Sequence, residues 1–172
     1  MQCTEGVHVA ACKMFLNVPK YACNNSVVGD LARSMYVYSC KRCIKYWIRI
    51  TRMPNTRLVK KWYVMMKLYD NNGHTNWATF VRKHLYENGF GYAWEQQNVQ
   101  NPKLFIYNYV QRIKDQYIQR WRIECANNSK LKTCYMFYKN SYYIEQYVYD
   151  IDIVKLRRIL AMFRSGVHCL SI

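Results

Sequence analysis

The sequence predicts an all-α protein, an irregular bundle of about seven to eight helices. Apolar residues recur with a period near 3.6 in most segments, and strand-like alternation is never sustained. The 172 residues include only three Pro and six Gly, so few positions interrupt a helix. Half of the residues are apolar, which is enough for a packed core and argues against disorder.

Periodicity and turn residues together place the helices in order along the chain. Pro19 ends the first helix, Pro54 separates the third from the fourth, and a turn at Gly73 precedes the next, which Thr75 or Asn76 caps. Gly89 stands where a helix C-cap is expected. The predicted helices are Val7 to Asn17, Ser26 to Arg33, Met35 to Met53, Arg57 to Tyr69, Asn76 to Asn88, Lys103 to Ala126, Leu131 to Asn140 and Asp152 to Arg164.

The length predicts one helical domain over residues 1–172. Within it we distinguish N-terminal helices at 1–34, a pair of basic helices at 35–69 and a helical remainder at 76–172.

The net charge of +16, from 26 basic and 10 acidic residues, indicates a polyanionic partner. Nucleic acid is favoured over a membrane, because no run approaches the roughly 18 apolar residues of a spanning helix. Glu5, His8 and Lys13 interrupt the segment where a signal peptide would be apolar. We therefore expect no secretion, an intracellular location in nucleus or cytoplasm, and reduced cysteines.

The predicted helix from Met35 to Met53 separates charge from apolar surface. Ten Lys/Arg and no acid lie between Asp30 and Asp70. Like charges at i,i+4 destabilise an isolated helix, so an external anion would offset their repulsion. One side of this helix carries Tyr36, Cys40, Cys43, Trp47 and Ile50, and the other Lys41, Arg42, Lys45, Arg49 and Arg52.

The following helix adds basic residues around aromatic ones, a combination that suits phosphate contact beside base stacking. For phosphate contact we predict Lys41, Arg42, Lys45, Arg49, Arg52, Arg57, Lys60 and Lys61, and for stacking on bases Tyr46, Trp62 and Tyr63. Phosphate contacts carry no base information, so the predicted binding has little sequence specificity.

No metal, cofactor or catalytic site is predicted. Cys40 and Cys43 have the spacing of a zinc half-site, but both lie on the apolar side of their helix, which favours core packing. Cys125, Cys134 and the His168–Cys169 couple do not supply a second half-site. Phosphate-binding loops, nucleophile elbows and paired metal-binding aspartates are also missing, which predicts a non-enzymatic chain.

Three stretches of the chain have a recognisable pattern: 11–18 (ACKMFLNV) with 29–33 (GDLAR), 42–47 (RCIKYW) with 50–54 (ITRMP), and 76–78 (NWA) with 88–94 (NGFGYAW). They resemble the protein of non-LTR (LINE-like) retrotransposons, in the region that follows its reverse transcriptase domain. Weaker similarity at 119–121, 127–129 and 163–165 extends the resemblance over nearly the whole chain.

The resemblance implies a helical extension behind a polymerase that copies element RNA into DNA at a nicked target. The palm aspartate pair of that polymerase is missing, its nearest approach being Asp150-Ile151-Asp152, so polymerase activity is not expected. We expect a fragment that continues from an upstream domain and binds template RNA or target DNA. The upstream reverse transcriptase domain is an expected partner.

Two alternatives remain open at this stage. The basic helices could dock on acidic surfaces of the parent polymerase and brace it without touching nucleic acid. A helix-turn-helix could instead read duplex DNA, with Asn76 to Asn88 as recognition helix and Arg82, Lys83 and Asn88 reaching base edges.

Overall fold

The regular structure is entirely helical in the computed structural model, which describes residues 2–132, 135–139 and 141–167. This confirms the predicted all-α class, but the predicted count was too low. Eleven helices lie in the described residues: α1 Gln2–Phe15, α2 Asn24–Leu31, α3 Met35–Thr51, α4 Leu58–Asn71, α5 Trp77–Glu87, α6 Gly91–Gln96, α7 Pro102–Asn127, α8 Ser129–Lys132, α9 Tyr135–Tyr138, α10 Tyr147–Asp150 and α11 Val154–Arg164.

The additional helices are short. Helices α6 and α10 were not predicted, and the segment predicted as one helix from Leu131 to Asn140 overlaps α8 and contains α9. A helix of one or two turns is too short to show a 3.6-residue pattern. Helix α1 begins five residues before the predicted Val7, and the other predicted boundaries agree within two residues.

The cap predicted at Asn76 is present. Its side-chain oxygen accepts hydrogen bonds from the backbone N–H groups of Ala78, at 2.7 Å, and Thr79, at 3.4 Å. The Thr79 hydroxyl accepts in return from the Asn76 backbone, at 3.0 Å, which completes a capping box at the start of α5. Gly89 follows the end of α5 with φ +82°.

The chain divides into two compact units, which we call the terminal unit (1–36 with 116–172) and the central unit (37–115). These boundaries differ from the predicted subdivision, because the terminal unit combines the two ends of the sequence. Helices α3 and α7 contribute residues to both units. None of the helices in the described residues is both long enough and apolar enough to cross a bilayer.

The terminal unit has an apolar core formed by residues from α1, α2, α10 and α11, among them Cys12, Leu31, Val148 and Ala161. A second cluster surrounds Trp121 of α7, whose indole N–H donates to the Asn25 carbonyl at 2.8 Å. Gly29 lies so close to this cluster that a Cβ atom would meet the Tyr135 hydroxyl and come within 2.5 Å of Trp121 Cζ2.

A buried carboxylate, Asp30, joins α2 to the C-terminal helices. It is 2% exposed and accepts two hydrogen bonds from the Arg164 guanidinium, at 3.2 Å from Nε and 3.1 Å from Nη2. The hydroxyls of Tyr135 and Tyr147 donate to the same carboxylate, at 3.1 and 2.8 Å. Burial raises the pKa of both phenols, and the neighbouring Asp30 charge raises it further, so both remain protonated donors.

The ionic network continues through Glu145. Arg164 Nη2 lies 3.1 Å from Glu145 Oε2, and the buried Lys139 ammonium pairs with Glu145 Oε1 and donates to the Tyr143 carbonyl. The Glu145 backbone N–H donates to the Asp30 carbonyl at 2.9 Å. Two carboxylates therefore face two cations, which is the arrangement that buried charges require.

The central unit has an aromatic core that joins α3, α4, α5 and α6. Trp47 and Trp94 stack with ring centroids 6.3 Å apart, and Tyr63 contacts the edges of Trp94 and Trp77 at 6.4 and 6.2 Å. The indole N–H of Trp47 donates to the Tyr63 hydroxyl at 2.9 Å. These contacts orient α3 with its apolar side inward.

We expect the Asp30–Arg164 pair to dominate the stability of the terminal unit. Arg164→Met leaves Asp30 buried without its cation, which should lower the free energy of unfolding by about 3–5 kcal/mol. Adding Asp30→Asn should recover part of that loss, because the uncompensated charge is removed. Urea unfolding followed by tryptophan fluorescence measures both effects in a double-mutant cycle. Arg158→Met is the exposed control, and an equal loss in both arginine variants would contradict the expectation.

We also expect the central unit to weaken in mild acid because of His84. This ring is buried against Phe80, with centroids 4.3 Å apart, and burial lowers its pKa below the usual 6.5, although Glu87 opposes the shift. A histidine with a lowered folded pKa loses stability as the pH falls below its unfolded pKa. Urea unfolding at several pH values should show this loss, with His84→Leu flattening the profile.

The matched control for that pH profile is His74→Leu, because His74 is exposed. This variant should keep the pH dependence of the original chain. A profile that stays equally steep in His84→Leu would assign the acid sensitivity to other groups.

Candidate nucleic-acid interface

Helix α3 has the two-sided character predicted for it. Cys40, Trp47 and Ile50 are at most 1% exposed, whereas Arg42, Lys45 and Arg49 are exposed on the other side. The half-exposed Lys41 lies one turn before Lys45. The separation follows from the 3.6-residue period, because the apolar side is fixed by the aromatic core.

A groove between α3 and the first half of α7 gathers lysines from both helices. It has a volume of about 440 Å³, and we call it the lysine groove. Its lining residues are Lys41 and Lys45 from α3, and Lys103, Ile106, Tyr107, Val110, Gln111 and Lys114 from α7.

The electrostatics of this groove are one-sided. Four of its eight lining residues are lysines and none is acidic. The central unit, all of which the structure describes, has fourteen Lys/Arg and four Asp/Glu. Of those acids, the buried Asp70 is paired with Arg82, whereas Glu95 and Asp115 accept hydrogen bonds from the neutral groups of Tyr86 and Gln111. The excess of basic over acidic residues therefore leaves the unit, and the groove within it, with a net positive charge.

The floor and rim of the groove differ in polarity. Ile106 and Val110 are half-buried and form an apolar floor, while Tyr107 is 67% exposed. An aromatic ring beside ammonium groups can stack on a base while the lysines contact phosphates. Neither Lys103, Tyr107 nor Lys114 was predicted as a site residue. Their spacing puts them on one side of a helix, but nothing local shows that this side faces α3.

Two of the residues predicted to contact phosphate each donate one hydrogen bond to the backbone. Arg52 donates to the Val99 carbonyl at 2.7 Å and Lys60 donates to the Thr51 carbonyl at 2.8 Å. The Lys60 bond fixes the turn between α3 and α4, and the Arg52 bond fixes the loop that precedes α7. Arg57 and Lys61 are exposed at the start of α4.

The predicted stacking residues fall into two groups. Tyr46 and Trp62 are about half exposed, at 48% and 56%, although Tyr46 also contacts the edge of Trp77 at 5.7 Å. Tyr63 is 1% exposed and belongs to the aromatic core, which corrects its predicted role. Its hydroxyl accepts from Trp47 and donates to Gln97 at 2.6 Å, and burial raises its pKa to about 12.

The residues named for a helix-turn-helix are mostly engaged in the fold. Arg82 makes two hydrogen bonds to the Asp70 carboxylate, at 2.7 and 3.0 Å, and these lower the pKa of that carboxyl. Asn88 is 6% exposed and donates to the His84 carbonyl. Of the three, Lys83 alone is exposed, so α5 does not present the predicted set of base contacts.

The cysteine pair on α3 packs as predicted. Cys40 is buried, Cys43 is half-buried, and burial raises the pKa of the Cys43 thiol, which disfavours the thiolate that a metal would bind. Within residues 2–132, 135–139 and 141–167, no three His, Cys, Asp or Glu side chains come together as a metal site. Cys134, His168 and Cys169 lie outside the described residues.

Each unit also contains a further cavity. In the central unit, about 330 Å³ is lined by Phe90, Tyr92, Gln96, Asn98, Val99, Gln100, Asn101, Leu104, Phe105 and Asn108, a mixture of amides and aromatic rings without charge. The terminal unit has about 310 Å³ beside Cys12, whose sulfur lies 3.6 Å from His8 Nε2. Burial raises the pKa of the Cys12 thiol, so this contact does not create a reactive thiolate.

Comparison with protein-family models gives no match for this chain, and neither curated proteins nor solved structures give one. The functional interpretation therefore depends on the residues and geometry described above.

We expect the Tyr63 hydroxyl to matter for stability rather than for binding. Tyr63→Phe leaves the buried Trp47 N–H without its acceptor, which should cost about 1–3 kcal/mol in the free energy of unfolding. Tyr46→Phe, at an exposed ring, should cost far less. Urea unfolding followed by tryptophan fluorescence measures both variants, and equal costs would contradict the expectation.

Proposed function

We propose that this chain is a non-enzymatic nucleic-acid-binding protein that holds RNA or DNA by its phosphates in the lysine groove. The observation that carries the proposal is the convergence of Lys41, Lys45, Lys103 and Lys114 from two helices on one groove without an acidic lining residue. Four ammonium groups in one groove repel one another, and a polyanion offsets that repulsion. Arg42 and Arg49 extend the same surface along α3.

A single strand suits this groove better than a duplex. The apolar floor and the exposed ring of Tyr107 can receive unstacked bases, while the lysines contact successive phosphates. A duplex keeps its bases stacked and offers mainly its backbone to such a surface. The proposed substrate is therefore single-stranded RNA or DNA, bound with little preference for sequence.

The resemblance to LINE-like retrotransposon proteins supports a specific context for this binding. In that context the chain lies behind a reverse transcriptase domain and holds the template RNA or the target DNA. A brace that contacts only the polymerase is the competing proposal, and it predicts no nucleic-acid affinity for the folded chain.

The experiment is a fluorescence-anisotropy titration of the full chain against labelled single-stranded RNA, single-stranded DNA and both duplexes at several salt concentrations. Four phosphate contacts on a single strand give a log–log salt slope of about −3. Replacing Lys45, Lys103 and Lys114 by Glu should reduce affinity by at least about a hundredfold, through lost counterion release and new repulsion. Circular dichroism should show unchanged helix content.

The matched control changes the same net charge elsewhere, with Lys130, Lys132 and Lys155 replaced by Glu; all three are exposed in the terminal unit. Tyr107→Leu should weaken single-strand binding about tenfold, because stacking is worth 1–3 kcal/mol per base, and should leave duplex binding unchanged. Equal losses in both triple variants, or binding that does not depend on salt, would refute the groove as the site. A well-folded chain without affinity would favour the brace.

A further inference from the structure

Helix α4 carries a row of large apolar side chains on its outer side. Leu58, Trp62, Met65 and Tyr69 are between 42% and 68% exposed, and we call these four residues the α4 seam. Leu68 lies beside it and is also exposed. The inner side of the same helix is occupied by buried Tyr63 and Asp70. A continuous apolar row of this kind on a protein surface marks an interaction site.

The spacing of the α4 seam favours a helix as its partner. Its members are four, three and four residues apart, and this alternation of four and three is the spacing of the seam between two packed helices. The 14 residues of α4 extend about 21 Å at 1.5 Å per residue, enough for three turns of contact. Leu58 has no hydrogen-bonding group and Met65 has only a weakly accepting sulfur, so neither can hold a phosphate.

The positive charge beside the seam indicates an acidic partner. Arg57 and Lys61 are exposed beside the seam, and residues 31–69 contain no acid. The acid on α4, Asp70, is buried and paired with Arg82. A second copy of the chain would bring like charges together across this surface, whereas a helix with Asp or Glu beside its apolar residues would pair with them.

We propose that the α4 seam is a docking surface for an acidic amphipathic helix of a partner protein. Trp62 is the central anchor, since tryptophan contributes most to binding at such centres. This goes beyond the proposed function, because the seam shares no residue with the lysine groove. It also gives Trp62 a different role from the base stacking predicted from the sequence.

The test uses the full chain and fluorescein-labelled synthetic peptides in anisotropy titrations. The panel holds amphipathic helices with a Leu seam flanked by Glu, the same helices with Lys for Glu, and scrambled Glu peptides of equal composition. Only the ordered acidic peptides should bind. Trp62→Ala should weaken them about thirtyfold, and Met65→Ser should also weaken them. Leu156→Ser and Ile159→Ser, at exposed positions of α11, are the controls and should have no effect.

Three results would overturn the proposal. Equal binding of scrambled and ordered acidic peptides would show that the attraction is only electrostatic. Protection of Trp62 from quenching by phosphatidylserine vesicles, but by no peptide, would show that the seam binds a lipid surface. A dimer detected by sedimentation, and lost in Trp62→Ala, would show that the occupant is a second copy.

Nucleic-acid affinity separates this proposal from the previous one. Trp62→Ala should retain single-stranded RNA binding, and the Glu variants of Lys45, Lys103 and Lys114 should retain peptide binding. Loss of RNA affinity in a folded Trp62→Ala chain would return the seam to the nucleic-acid surface.

Discussion

The pairing of Asp30 with Arg164 is the interaction on which the terminal unit depends. A carboxylate that is 2% exposed has lost its water, and that loss is costly unless charges and hydrogen bonds replace it. Here a guanidinium fork and two phenols do so, and Glu145 with Lys139 extends the compensation. Because these groups come from segments more than 100 residues apart, the unit can bury Asp30 only when both ends of the chain are in place.

The central unit is stabilised by different interactions from those of the terminal unit. Its core is mainly aromatic, one buried carboxylate, Asp70, is paired with Arg82, and nearly all of the cations lie on the surface. Trp47 and Tyr63 orient α3, while Arg52 and Lys60 fix the ends of neighbouring segments through backbone carbonyls. The cations of this unit thus have two roles. Some stabilise the fold by hydrogen-bonding to the backbone, and others form an exposed surface that an anion can contact.

Local patterns in the sequence predict the individual helices but not how the helices pack against one another. The 3.6-residue period of α3 correctly separated its buried and exposed sides, and the Asn76 cap fixed the start of α5. The period of α4 is ambiguous, because apolar residues occur all round it, and so the pattern predicts both Trp62 and Tyr63 on the surface, whereas Tyr63 is buried. The lysine groove depends on which side of α7 faces α3, and Asp30 finds its partner 134 residues away. Neither the side of α7 that faces α3 nor the partner of Asp30 can be inferred from a local pattern in the sequence.

The close packing around Gly29 limits which residue can occupy this position in the terminal unit. Every other amino acid carries a Cβ atom, which at this position would collide with Trp121 and Tyr135, whereas the space around Gly6 is open. Sequences that share this fold should therefore keep glycine at position 29, whereas position 6 is free to vary.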